Sequence, residues 1–247
     1  MAVAFDAVGP AGGGGTSLTT SPVTWTHTVG SVALPVVLVG VAVGMSSGVS
    51  LSTTSVTYAG GSMTPLTSKI PSNNADYGYL QVFGKSGVAT GAGTIVATTS
   101  GGAAVLSVNC GSLSFANVSQ TTPFGTAGTA ASNGPMTVTL PSSTIGNMVA
   151  GIVGGAPIGA VSGSGTRQYL DNFETESACG NTSGQTLTST GSSMAVGWTT
   201  SDWFAIAALE VLSGATPGPP LTDAPVPVNM PFVVTGRAGR RNAGHSR

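Results

Sequence analysis

Only one histidine, His27, lies outside the extreme C-terminus, where His245 is the other. A catalytic imidazole needs an acid to orient it and a nucleophile or metal within reach, so its neighbours decide what it can do. The stretch VTWTHTVG (23–30) supplies neither. Alternation of period two puts Val23, Trp25, His27 and Val29 on one strand face and Thr24, Thr26 and Thr28 on the other. His27 therefore reads, with Trp25, as a structural core residue: an imidazole kept neutral by burial and in need of a hydrogen-bond partner.

Other spacings carry chemistry only in part. Gly44-Met45-Ser46-Ser47-Gly48 matches G-x-S-x-G, the strand-to-helix turn that exposes a nucleophilic serine. Here a second alternating segment, VSLSTTSVTY, follows, and the only later histidine is His245, so no triad and no enzyme is expected. The glycines of Gly9-Pro10-Ala11-Gly12-Gly13-Gly14-Gly15-Thr16 are spaced like a phosphate loop, but Gly15 stands where the lysine belongs, which leaves a flexible linker. Asp171, Glu174 and Glu176 in YLDNFETESACGN are weak candidates for a Ca²⁺-type metal site. A solvated contact loop is the preferred reading of that cluster, and no cofactor or metal is expected. Cys110 and Cys179 have neither CxxC nor metal spacing, and a disulfide or two reduced thiols both remain open. Tyr77 and Tyr79 share a strand face beside the polar segment Asn73-Asn74-Ala75-Asp76, which makes them the best surface-contact candidates, for a cell-wall glycan among other partners.

The elements that would position these residues are strands. Alternation recurs at 3–8, 23–29, 34–43, 49–59, 77–84, 94–99, 104–110, 136–140, 147–154, 166–170 and 193–198, with separators rich in Gly, Ser, Asn and Pro. About a dozen strands without helical crossovers predict an all-β antiparallel sandwich, jelly-roll-like in strand count. Residues 202–213 could form a helix between a cap and Gly214, but the alternation of Trp203, Ala205, Ala207, Leu209 and Val211 favours a closing strand.

Of the 247 residues 40% are hydrophobic and only 6% charged, so solubility rests on Ser, Thr, Asn and Gly. Three cations face seven acids before residue 215, whereas Arg237, Arg240, Arg241 and Arg247 face only Asp223 after it. A weakly acidic body offers no stripe for a nucleic-acid backbone, and nucleic-acid binding is not expected. The longest apolar run, VALPVVLVGVAVGM (32–45), is too short and too rich in Gly and Pro for a membrane helix, so no membrane insertion is expected. The start lacks the basic and apolar regions of a secretory signal. Three regions follow: an N-terminal strand and Gly-rich linker (1–21), a β-sandwich domain (22–214) and a Pro-rich basic C-terminal tail (215–247). Met230, Phe232, Val233 and Val234 give that tail an apolar patch suited to docking on a neighbour.

The run Trp25 to Ser31, the apolar strand 34–43 and Ser55-Val56-Thr57-Tyr58-Ala59-Gly60-Gly61-Ser62-Met63-Thr64-Pro65-Leu66 together resemble a β-sandwich module of tailed-bacteriophage virion proteins, found in minor tail proteins of phages that infect actinobacteria. Val118 to Phe124, Met136 to Pro141 and Met148 to Gly155 continue the order, so the resemblance spans roughly 22–213. In that pattern the turn is often Tyr-Gly-Gly, whereas Ala59 intervenes here. The resemblance implies a structural role in a virion, assembled in the host cytoplasm with other tail or capsid proteins, and no catalytic residues. Cytoplasmic assembly would favour reduced cysteines, and repetition of the subunit as a homo-oligomer would cover its uncharged surface. A minor tail protein near the host-facing end, helping attachment, is the leading expectation. A capsid decoration or head-fibre protein and a free carbohydrate-binding β-sandwich are the alternatives.

Overall fold

Valine, isoleucine and threonine alternate through most of the chain, and the resulting strands pair into four antiparallel sheets. The computed structural model describes residues 1–9, 21–45, 53–71, 78–100, 105–140, 142–155, 158–162, 165–171, 181–200 and 203–214, and among these there is no helix. Accordingly none of the described residues forms a helix long and apolar enough to cross a membrane.

The first half builds two sheets. Its inner sheet runs β1 (Ala4–Gly9), β10 (Val105–Ala116), β3 (Val36–Met45), β8 (Gly78–Ser86) and β6 (Thr64–Pro65), with β7 (Ile70–Pro71) also on β8. Its outer sheet runs β2 (Val23–Val29), β9 (Gly91–Ser100), β4 (Thr53–Tyr58) and β5 (Gly61–Ser62). In the second half the inner sheet is β11 (Phe124–Asn133), β18 (Trp203–Val211), β13 (Met148–Gly155), β16 (Asn181–Thr188) and β15 (Thr166–Asp171), and the outer one β12 (Met136–Leu140), β17 (Met194–Thr200) and β14 (Ile158–Ser162).

Three apolar clusters hold these layers together. One, with Trp25, Val39, Val41, Tyr58 and Ile95, joins the first outer and inner sheets. A second, with Leu38, Leu80, Phe115, Ile152 and Leu209, joins the two inner sheets. The third, with Val149, Ile206 and Trp198, joins the second inner and outer sheets. Every residue of β3 is buried, as expected for a strand covered on both faces. It begins at Val36 rather than at residue 34, because Leu34 has a left-handed backbone (φ 50°) and Pro35 follows it.

Residues 203–211 form the closing strand, paired with β11 on one side and β13 on the other. The N-terminal strand β1 belongs to the first inner sheet through its pairing with β10, while most of the expected linker lies outside the described residues. So do residues 215–247, with Met230, Phe232, Val233 and Val234. Between β4 and β5, Ala59 (φ 48°) and Gly60 (φ 77°) make a two-residue hairpin turn, the primed geometry that suits the strand twist.

Besides the two-residue strands β5, β6 and β7, three longer strands were not expected. In β11 (FGTAGTAASN) small residues give little apolar contrast, and β14 is short. Strand β16 (NTSGQTLT) is polar, yet all of it except its last residue is buried. Its side chains are satisfied in place: Thr182 Oγ1 donates to the Val153 carbonyl (2.9 Å), Ser183 Oγ to that of Tyr169 (2.7 Å) and Gln185 Nε2 to that of Gly197 (3.0 Å).

Candidate functional site

Around His27 the fold gathers the only described histidine with a serine and, nearby, an acid. Alternation along β2 turns the imidazole inward, and it is fully buried. Opposite it stands Ser112 on β10, whose Oγ lies 2.9 Å from His27 Nδ1 and accepts from Trp25 Nε1 at 3.1 Å. Ser112 Oγ also donates to the Gly9 carbonyl at 2.8 Å. A hydroxyl has one proton, and a carbonyl can only accept, so that proton is committed to Gly9. His27 Nδ1 must then carry the hydrogen and donate to Ser112, which leaves Nε2 as a bare nitrogen. That Nε2 is buried without a partner among the described residues.

The proton arrangement runs opposite to the one a nucleophile needs. An activated serine gives its proton to an unprotonated imidazole nitrogen, whereas Ser112 receives one from His27 and is itself fully buried. Asp6, the acid of the region, is engaged elsewhere: its Oδ2 accepts from Gly30 N (3.0 Å) and Ser114 Oγ (2.7 Å). Burial lowers the His27 pKa to about 4 against the opposing pull of the Asp6 charge. At neutral pH the ring is an uncharged strut that ties β1, β2 and β10 together.

Gly9 completes the cluster, since a Cβ there would sit 2.7 Å from His27 Nδ1. Gly9→Ala is therefore expected to push the ring off Ser112 and cost about 1–3 kcal/mol. The midpoint of urea unfolding checks this, and an unchanged midpoint would mean the cluster has slack.

A second polar cluster centres on Glu210, the sole charged residue of β18. Its Oε1 accepts from Ser143 Oγ (2.7 Å), Thr144 N (2.9 Å) and Asn147 Nδ2 (2.7 Å), and Asn147 Oδ1 in turn accepts from Ser213 N (2.8 Å). Burial alone would raise the Glu210 pKa, but these hydrogen bonds outweigh it and hold the carboxyl below its usual value. The stability this gives is present above the unfolded pKa of about 4.5 and is lost as pH falls below it. Glu210→Ala should cost about 1–2 kcal/mol at pH 7, and equilibrium unfolding at pH 7 and pH 3 should show the difference shrinking in acid.

The remaining candidates are dispersed. Tyr79 is a correction: it is fully buried, its hydroxyl is hydrogen-bonded to Thr54 Oγ1, and Lys69 Nζ sits 5.3 Å from its ring centre. A polar neighbouring segment does not determine which way a strand residue faces, and this one faces the apolar cluster between the first two sheets. It is not a surface platform, and Tyr77 lies outside the described residues. Asp171 ends β15, half-buried, with its pKa raised by burial, while Glu174 and Glu176 lie outside the described residues. Among the described residues no three His, Cys, Asp or Glu side chains converge as a metal site would require. Cys110 is a free, fully buried thiol whose pKa is pushed up by burial and then by the Asp171 charge, the opposite of a reactive cysteine. Cys179 and Ser46 lie outside the described residues.

No family profile, curated protein or solved structure matches the chain. What the geometry can do chemically is thus read from the residues alone. A groove of about 500 Å³ is lined by Ser62, Thr64, Leu66, Lys85, Thr121 and Phe124 among others. These are hydroxyls, apolar side chains and one ammonium, and Lys85 Nζ already donates to the Ser62 carbonyl at 3.1 Å. Such a lining can hold a partner but supplies no general acid–base pair.

Proposed function

We propose that this chain is a structural subunit of a tailed-bacteriophage virion, a minor tail protein near the host-facing end of the tail, assembled in the host cytoplasm with other virion proteins and copies of itself. The observation that carries this reading is the strand order. In the first half β1-β10-β3-β8 faces β2-β9-β4-β5, which is the succession of a jelly-roll sandwich and supports the finer fold assignment. This is a building architecture common in capsid proteins and lectins. The order agrees with the sequence resemblance of residues 22–213 to virion modules.

Two further features favour a building role. The histidine, serine and acid that could have made an active site are hydrogen-bonded in the direction of structure. The outward face of the first outer sheet presents Thr24, Thr26, Thr28, Ser55, Thr94 and Thr98, all exposed and uncharged, a surface that a neighbouring subunit can cover without stripping water from ions. In this reading residues 215–247 are an extended tail whose Met230, Phe232, Val233 and Val234 dock on a neighbouring virion protein.

Gold-labelled antibody against the chain, applied to purified particles in the electron microscope, tests the proposal. Label at the tail end supports it, label confined to the head replaces it with a capsid decoration or head fibre, and unlabelled particles that lack the polypeptide refute a virion role.

A further inference from the structure

The two halves of the described chain repeat one plan. The first inner sheet runs β1-β10-β3-β8, and the second runs β11-β18-β13-β16; the outer sheets run β2-β9-β4 and β12-β17-β14. Taking β1–β4 as counterparts of β11–β14, and β8–β10 of β16–β18, every pairing among these strands in one half has its counterpart in the other. We infer that the chain is a tandem duplication of one jelly-roll-like unit, and that the packing of its two inner sheets is a self-complementary dimer interface captured within a single polypeptide.

The contacts across that interface have the pattern of a two-fold axis. In an isologous interface, if element i of one copy meets element j of the other, then j meets i in return. Here β10 meets β16 while its counterpart β18 meets β8, and β8 meets β13 while β16 meets β3. Likewise β10 meets β15 and β18 meets β7, the strands beside β16 and β8 respectively. β3 and β13 meet their own counterparts, as strands lying along the axis must, whereas β11 meets β7 without a comparable return contact between β1 and β15 among the described residues.

Side chains on the axis interlock reciprocally. A Cβ on Gly40 would come within 2.5 Å of Ile152 Cγ2, and one on Gly154 within 2.7 Å of the Ala42 Cβ. Both pairs have the same sequence separation, as a repeat requires: Ile152 fills the space over a glycine of the first unit, and Ala42 fills the space over a glycine of the second. A glycine away from the axis also repeats. Gly9 on β1 pairs with Ser112 and leaves room for His27 of β2; Gly128 on β11 pairs with Ala208 and leaves room for Val138 and Leu140 of β12. The same strand crossing is thus relieved by glycine in both units, although one covers a polar cluster and the other an apolar one.

The test uses the full-length chain with a protease site inserted between Thr121 and Thr122, exposed residues that link the halves, and cut after folding. The cut protein should elute as one particle containing both fragments. Gly154→Ala in the cut protein should raise the dissociation constant of the fragments at least tenfold, and the exchange Ala42→Gly with Gly154→Ala should recover most of that loss by swapping bump and hollow. Thr26→Ala, on the outer face, should change nothing. Fragments of the cut parent protein that separate on gel filtration would overturn the interface, and failure of the exchange to recover affinity would overturn its reciprocity. If Gly154→Ala does not fold, Ile152→Ala replaces it, with the same tenfold loss expected and intact affinity counting against the proposal.

Discussion

Truncating Trp198 to alanine is expected to destabilise the protein by about 3–5 kcal/mol, the range for deleting a large aromatic from a packed core. Its indole is fully buried in the cluster between the second inner and outer sheets, with Val149, Val196 and Ile206 in the same cluster. A hydrogen bond adds to the packing. Trp198 Nε1 donates to Ser183 Oγ at 3.2 Å, and Ser183 Oγ donates to the Tyr169 carbonyl at 2.7 Å, so the indole links an outer strand through β16 to the edge strand β15. Trp25 does the same in the first half through Ser112 to the Gly9 carbonyl of β1. Trp198→Phe retains most of the ring and loses only the donor, so it should cost about 1–2 kcal/mol. Urea unfolding of the two variants separates the contributions, and equal losses would mean that packing is not the larger part.

The second large effect belongs to His27. At pH 7 His27→Ala should cost about 2–4 kcal/mol, from the cavity and from Ser112 Oγ losing the hydrogen bond that His27 Nδ1 donates. Acid changes this cost in a defined direction. The folded-state pKa is about 4 and the ordinary value is 6.5, so between these values the unfolded chain takes up a proton that the native state refuses. Stability is therefore fully present above pH 6.5 and falls as pH drops toward 4, by about 3 kcal/mol at 1.36 kcal/mol per pKa unit. The alanine variant has no such group, and the two stability curves should converge as pH approaches 4. A constant gap from pH 7 to pH 4 would mean that His27 is not held neutral by burial.

Much of this architecture was legible in the sequence, and the parts that were not share a physical cause. Alternation with large apolar residues placed β2 and β12 to the residue, because a strand with one buried face advertises it. The inward direction of His27 followed from the same pattern. Its partner did not: Ser112 is 85 positions away, on a strand whose hydroxyls gave no sign of burial. The buried polar strand β16 was invisible for that reason, since Thr182, Ser183 and Gln185 become core residues only once carbonyls of other strands accept their hydrogen bonds. Tyr79 was misread because local polarity stood in for a cross-sheet relationship. Glu210 carried a usable signal, a lone carboxylate in WFAIAALEV, where a charge persists only if donors meet it. The repeated plan is faint in the sequence: β3 reads VVLVGVAVGM and its counterpart MVAGIVGG, so strand order and the correspondence of Gly9 with Gly128 are its main traces.

The reading of the His27 cluster as architecture rests on His27 being a neutral, donor-at-Nδ1 strut. Nitrogen-detected NMR of the imidazoles, with His27 assigned by its loss in His27→Gln, measures this without reference to any activity. The expected result is a protonated Nδ1, a bare Nε2 and no titration until pH approaches about 4. A midpoint at or above 6.5 with the proton on Nε2 would place an exposed, basic Nδ1 against Ser112, and would contradict the reading of this cluster as architecture.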